Sequence, residues 1–87
     1  MYRVSIGVRS TSSPDGGVVL DIDHGQVFRL NRVGALIFEL LMKGSTEAEM
    51  VFEIAQQYAI DEPVATADVR EFLASLEQSK LVHRKQG

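Results

Sequence analysis

The chain is 87 residues long, 45 % hydrophobic, carries a net charge of −3 and contains no cysteine. That length makes one domain with a modest core and leaves no room for a buried cofactor cavity inside a catalytic shell, while the hydrophobic content excludes disorder. The charge excludes a global positive field for nucleic acid or anionic lipid, and the missing thiols exclude disulfides, thiolate metal sites and a Cys nucleophile.

Residues 2 to 9 alternate, with Tyr2, Val4, Ile6 and Val8 against Arg3, Ser5, Gly7 and Arg9. Period two with one polar face predicts a half-buried first strand. The opening MYRVSIGVRS is too short and too polar for a signal peptide, and no apolar run approaches a membrane span, so the expected location is cytoplasmic. Ser10 to Gly17, STSSPDGG, is turn chemistry, with Pro14-Asp15-Gly16 as the tight turn. Two β-patterned runs follow, Gly17 to Asp21 and Gln26 to Leu30, broken at Asp23-His24-Gly25 as a hairpin requires.

Asn31 is placed to cap the next element, and Val33, Leu36, Ile37, Leu40 and Leu41 form one apolar stripe over a helix from Arg32 to Lys43. Gly44 ends it. Ser45-Thr46 starts a second helix with Glu47 and Glu49 in its first turn and Met50, Val51, Ile54, Ala55 and Tyr58 inward. After a break at Ala59 to Pro63, either Asp61 or Thr66 is placed to cap a third helix running to about Lys80. Its inward residues are Val69, Phe72, Leu73 and Leu76; Leu81 and Val82 suit a last extended segment, and His83 to Gly87 reads as a frayed tail. The fold class is α+β: a three-stranded antiparallel sheet followed by a three-helix bundle in one domain, 1–87, winged helix-turn-helix-like in outline.

The pattern carries no catalytic constellation. His24 sits in a turn and His83 in the tail, without metal-ligand spacing. Asp21 and Asp23 share one side of a strand as a carboxylate pair would, but at a hairpin turn they read as solvated turn residues. Gly16-Gly17 precedes a strand rather than a helix and so makes no phosphate cradle. No catalytic residue, metal or cofactor is expected; the chain reads as a binder, not an enzyme.

Two kinds of binder fit the element order. A winged-helix DNA-binding or regulatory protein would lay Val64 to Lys80 in a major groove, yet that stretch exposes Asp68, Glu71, Glu77 and Gln78 against Arg70 and Lys80, which opposes phosphate binding. In a meander ordered 1-2-3, by contrast, Gln26 to Leu30 is an edge strand beside a helix, able to take a peptide by β-augmentation. An exposed edge also permits a weak homodimer in place of a monomer.

The run Asp21-Ile22-Asp23-His24-Gly25-Gln26-Val27-Phe28-Arg29-Leu30-Asn31, then Gly34-Ala35-Leu36-Ile37-Phe38-Glu39-Leu40-Leu41, resembles the PqqD-like pattern. The Ser45-Thr46 helix start and the stretch from Asp68-Val69-Arg70-Glu71-Phe72-Leu73 to Leu81-Val82 fit as well, so the likeness spans residues 3 to 82. Phe38 stands where the family commonly has Trp. The resemblance implies a recognition element for ribosomally made, modified peptides, which holds a precursor's leader segment as an added strand between the third strand and third helix. It further implies delivery to a partner peptidase or other modifying enzyme, of the lasso-peptide type in preference to the pyrroloquinoline quinone chaperone type. On this sequence the clamp is expected at Gln26, Val27, Phe28, Arg29 and Leu30 opposite Asp68, Val69, Phe72 and Leu76. Val69, Phe72 and Leu76 would wall an apolar trough, Asp68 and Arg29 would read polar groups at its rim, and Phe28 and Leu30 would face the helices. The i, i+3, i+7 spacing of Val69, Phe72 and Leu76 equally fits a plain core.

Overall fold

The computed structural model describes residues 2–84. In chain order the elements are β1 (Tyr2–Val4), β2 (Val8–Ser13), β3 (Gly16–Asp21), β4 (Gln26–Leu30), α1 (Arg32–Met42), α2 (Glu47–Tyr58), α3 (Glu62–Gln78) and β5 (Val82–Arg84). Strands β2, β3 and β4 form an antiparallel sheet in that spatial order, and α1 covers one face of it by packing on β3. Helix α3 packs chiefly on α2 and β5. The core lies between sheet and helices, where Val19, Ile37, Phe38, Leu41, Met50, Ile54, Val69, Leu73 and Leu76 are buried. Among the described residues, no helix is long and apolar enough to cross a membrane.

The three-stranded sheet and three helices are as expected, but the first strand is displaced. The alternating run of residues 2 to 9 is not one strand. It breaks at Ser5–Gly7, where Gly7 adopts φ +86° and turns the chain, leaving Ile6 94 % exposed at the corner. The corner is tied to the end of α3 by Ser5, whose N–H donates to the Leu81 carbonyl (2.9 Å) and whose Oγ donates to that of Lys80 (2.9 Å). The segment before the break, β1, instead pairs with β5 in a separate two-stranded sheet, Val4 opposite Val82.

The sheet's first strand is therefore β2, drawn from the STSS stretch expected to be turn; only Pro14 and Asp15 form the turn. Polar residues serve here because β2 is an outer strand whose backbone partners come from the ladder to β3, not from burial. At the other end, β5 includes His83 and Arg84, so the expected tail does not begin at His83; residues 85–87 lie outside the described residues.

Two of the three helix starts carry side-chain caps. Gly34 N–H donates to Asn31 Oδ1 at 2.8 Å. Thr46 and Glu49 form a reciprocal capping box, at 3.1 Å to Thr46 Oγ1 and 2.7 Å to Glu49 Oε1. Asp61 occupies the cap position of α3 without a side-chain hydrogen bond, whereas Thr66 lies inside the helix with its Oγ1 donating to the Glu62 carbonyl.

Candidate functional site

Strand β4 is an edge of its sheet, and the register states which of its backbone groups are open. Ser13 pairs with Gly16 across a two-residue turn, a geometry closed by a mutually hydrogen-bonded pair. Hydrogen-bonding direction alternates along a strand, so Gly16, Val18 and Leu20 bond to β2, while Gly17, Val19 and Asp21 bond to β4. The partners of those last three are Leu30, Phe28 and Gln26. Val27 and Arg29 consequently turn their N–H and C=O groups to the open side, two donors and two acceptors in line.

Beside that edge lies a cleft against α3, made of two hollows that share no lining residue. At one end Asn31, Val33, Gly34 and Ile37 face Asp68, Glu71, Phe72 and Ser75. At the opposite end Asp21, His24, Gln26 and Phe28 face Gln78, Ser79 and Lys80. The α3 residues involved, 68, 71, 72, 75 and 78, recur at three- and four-residue steps and so share one flank of the helix. The carboxylates of Asp68 and Glu71 have no ion-pair partner among the described residues, whereas Arg70 is turned to Glu47 at 3.5 Å.

The expected site residues divide on this geometry. Gln26, Phe28, Asp68 and Phe72 line the cleft. Phe28 and Leu30 point inward and are half-buried against the core, as expected. Val69 and Leu76 do not wall the trough: both are buried, at 0 % and 3 % exposure, with no surface left for a ligand. The reason is angular. At 100° per residue, Val69 and Leu76 point almost the same way, into the core, while Phe72 stands about 60° round toward the cleft. Arg29 is likewise displaced, for period two sends its side chain to the outer face of the sheet, away from Asp68. Val27 shares that face and is 64 % exposed.

The pattern had not marked Asp21, His24, Asn31, Gly34, Glu71, Ser75 or Lys80 as cleft residues. Asp21 is also a correction, being buried where a solvated turn residue was expected. Its two oxygens accept from His24, Oδ1 from the backbone N–H at 3.2 Å and Oδ2 from ring Nδ1 at 2.9 Å, so a turn histidine is fixed at one mouth of the cleft. The inward parity of Asp21 on β3 was the available signal, since it follows Val19 by two. For Gly34 the signal was a glycine inside an otherwise apolar helix, which marks a close approach.

Residues 16–82 match the family described as coenzyme PQQ synthesis protein D (PqqD). The chain belongs to the PqqD family. No curated protein matches it. A solved structure described as TbiB1 in complex with the TbiA(beta) leader peptide is 32 % identical, with 98 % of this PqqD-family chain and 99 % of that chain covered at a TM-score of 0.87. A second, described as lasso peptide synthetase B1 complexed with the leader peptide, shares the fold at 23 % identity and a TM-score of 0.86, over 95 % and 98 % of the two chains.

Proposed function

We propose that this chain binds the leader segment of a ribosomally synthesised precursor peptide as an additional strand on β4, beside α3, and delivers it to a partner modifying enzyme or leader peptidase. The observation that carries this reading is the pair of outward-facing backbone units, Val27 and Arg29, beside a cleft whose two hollows are lined one by Phe28 and the other by Phe72. An incoming strand that pairs with those units gains directional main-chain bonds and sends alternate side chains into the cleft. The likeness to TbiB1, solved with a leader peptide, supports the same reading. The lasso-peptide setting is favoured because the leader-peptide complexes of this fold include a lasso peptide synthetase B1; the pyrroloquinoline quinone setting is the second choice.

The energetics are adequate. One buried aliphatic or aromatic anchor contributes about 1.5–3 kcal/mol. Two such anchors with a few main-chain bonds, less the ordering of a disordered leader, give about micromolar affinity. Binding to DNA through α3 is opposed by the carboxylates of Asp68 and Glu71 on the very flank that is free.

The test is an amide-resolved NMR titration with the TbiA(beta) leader peptide, the ligand of the 32 % identical TbiB1. The Val27 and Arg29 amides should become protected from exchange, with shift changes at Phe72 and Ser75. Saturable binding that leaves β4 unprotected and perturbs another face would reject strand addition.

A further inference from the structure

The two hollows of the cleft carry opposite charge. The charged side chains lining the one at Asn31 are Asp68 and Glu71, with no cation among them. Those lining the one at Gln26 are Asp21, His24 and Lys80. There the Asp21 carboxylate is taken up by His24, through its backbone N–H and ring Nδ1, which leaves the Lys80 ammonium as the uncommitted charge. Asp68, Glu71 and Lys80 have no ion-pair partner among the described residues, whereas Arg70, Glu77 and Arg84 nearby are all paired. The acidic hollow also has the half-buried ring of Phe72 in its wall, where an alkyl stem can lie while its charged head reaches the carboxylates. Lys80 springs from a fixed point at the end of α3: its N–H donates to the Glu77 carbonyl at 3.0 Å, and its carbonyl accepts from Ser5 Oγ at 2.9 Å.

The spacing of these charges suits one extended strand. At the helical rise, Lys80 lies about 14 Å along from Glu71 and about 18 Å from Asp68. A strand covers about 14 Å in four residues and about 20 Å in six. Even steps return a side chain to the same face, so a single strand can seat a residue in each hollow. The sheet is antiparallel throughout, and a strand that continues the alternation on β4 runs from the Leu30 end toward Gln26. Such a strand passes the acidic hollow first.

We infer that this cleft chooses its leader by the order of charge: a Lys or Arg seated at Asp68 and Glu71, followed about four to six positions later on the same face by an Asp or Glu seated at Lys80. The inference rests on the leader-binding reading above and adds the class of leader to it. Main-chain bonds to Val27 and Arg29 are blind to sequence and form at many registers. The charges at the two ends fix register and direction, because a leader that is slipped or reversed sets like charge against like.

The test begins with a displayed library of random peptides selected on the full chain, with the TbiA(beta) leader peptide as reference ligand. Selected peptides should carry Lys or Arg ahead of Asp or Glu at the even spacing above. The tightest of them, labelled with fluorescein and followed by anisotropy, should lose about tenfold in affinity when its two charges are exchanged in place. That is the scale of two exposed ion pairs opposed instead of made. The gap should narrow from about 0.05 M to about 1 M salt, as screening requires. In the Asp68→Lys/Glu71→Lys/Lys80→Glu variant the preference should invert, the exchanged peptide binding more tightly, whereas damaged packing would weaken both peptides alike. Equal affinity of the two orders for the wild type overturns the inference, as does a preference that the variant leaves unchanged or a selection that places acid ahead of base. Strand addition survives those results if the selected peptides still protect the Val27 and Arg29 amides from exchange. Selected peptides and TbiA(beta) leader that both leave these amides unprotected overturn the leader-binding reading instead. Should the triple variant unfold by circular dichroism, Lys80→Glu alone decides, since it should turn the selection to a base at both positions.

Discussion

The ring of Phe72 rests on Gly34: a Cβ at position 34 would stand 2.9 Å from its Cε1 and 3.3 Å from its Cζ. The absence of a side chain on α1 therefore lets an α3 aromatic settle at the floor of the cleft. Gly34→Ala sets two effects in opposition. Helix propensity gains about 1 kcal/mol, while overpacking costs about 1–3 kcal/mol unless the neighbour yields. Phe72 is only half-buried, so its ring can yield, and the way it yields is into the cleft. Gly34→Ala should thus change stability by no more than about 2 kcal/mol and yet weaken leader binding about tenfold or more. Denaturant melts beside an anisotropy titration check this; normal leader affinity in the folded variant would remove the Gly34–Phe72 contact from the site.

Asp21 governs the other end. Its carboxylate is buried and receives both donors of His24, so truncation leaves the turn between β3 and β4 without its organising acceptor. Asp21→Ala should cost about 0.5–1.5 kcal/mol, the range for a lost hydrogen bond whose remaining donors, on the exposed His24, can turn to water. Asp21→Asn retains an acceptor for the His24 N–H and should cost less. Urea unfolding of the two variants separates them, and equal costs would show that shape alone matters at that position.

Much of this fold is legible in the sequence itself. The β3–β4 hairpin, the Asn31 cap and the helix start at Ser45-Thr46 are local chemistry, set by residues within a few positions of one another. What escaped depended on distant partners. Whether residues 2 to 9 continue as a strand depends on β5, some 80 residues away, and on Gly7, whose left-handed turn the alternation hides. The polar STSS stretch becomes a strand because β3 supplies its ladder. In the site, the apolar period of α3 identified the helix face without fixing which flank stays open; 60° separates Phe72 in the cleft from Val69 in the core.

The capping box carries a pH signature. Hydrogen bonds from the Thr46 backbone N–H, and then from its side chain, hold the Glu49 carboxyl below its usual 4.5. A folded-state value below the unfolded one contributes stability that is present above the unfolded value and is lost as pH falls through the folded one. Wild type should therefore exceed Glu49→Gln in thermal stability at neutral pH, with the difference shrinking from about pH 4.5 downward. Paired melts from pH 7 to pH 3 test this. A difference that persists at the acid end would assign it to something other than the ionised box.

The sharpest check on strand addition comes from proline placed at neighbouring positions of β4. Proline removes an N–H, and its consequence depends on where that N–H points. At Phe28 the donor serves the ladder to Val19, so Phe28→Pro should destabilise the sheet by about 3 kcal/mol or more. At Val27 the donor faces open solvent in the free protein, where an edge strand tolerates proline. Val27→Pro should keep its melting temperature near wild type and still lose leader binding by at least about tenfold, because the added strand loses a hydrogen bond and meets the ring. Arg29→Pro should behave as Val27→Pro. Were Val27→Pro to fold and bind leader normally while Phe28→Pro unfolded, the edge would be open as described but the leader would be using some other surface.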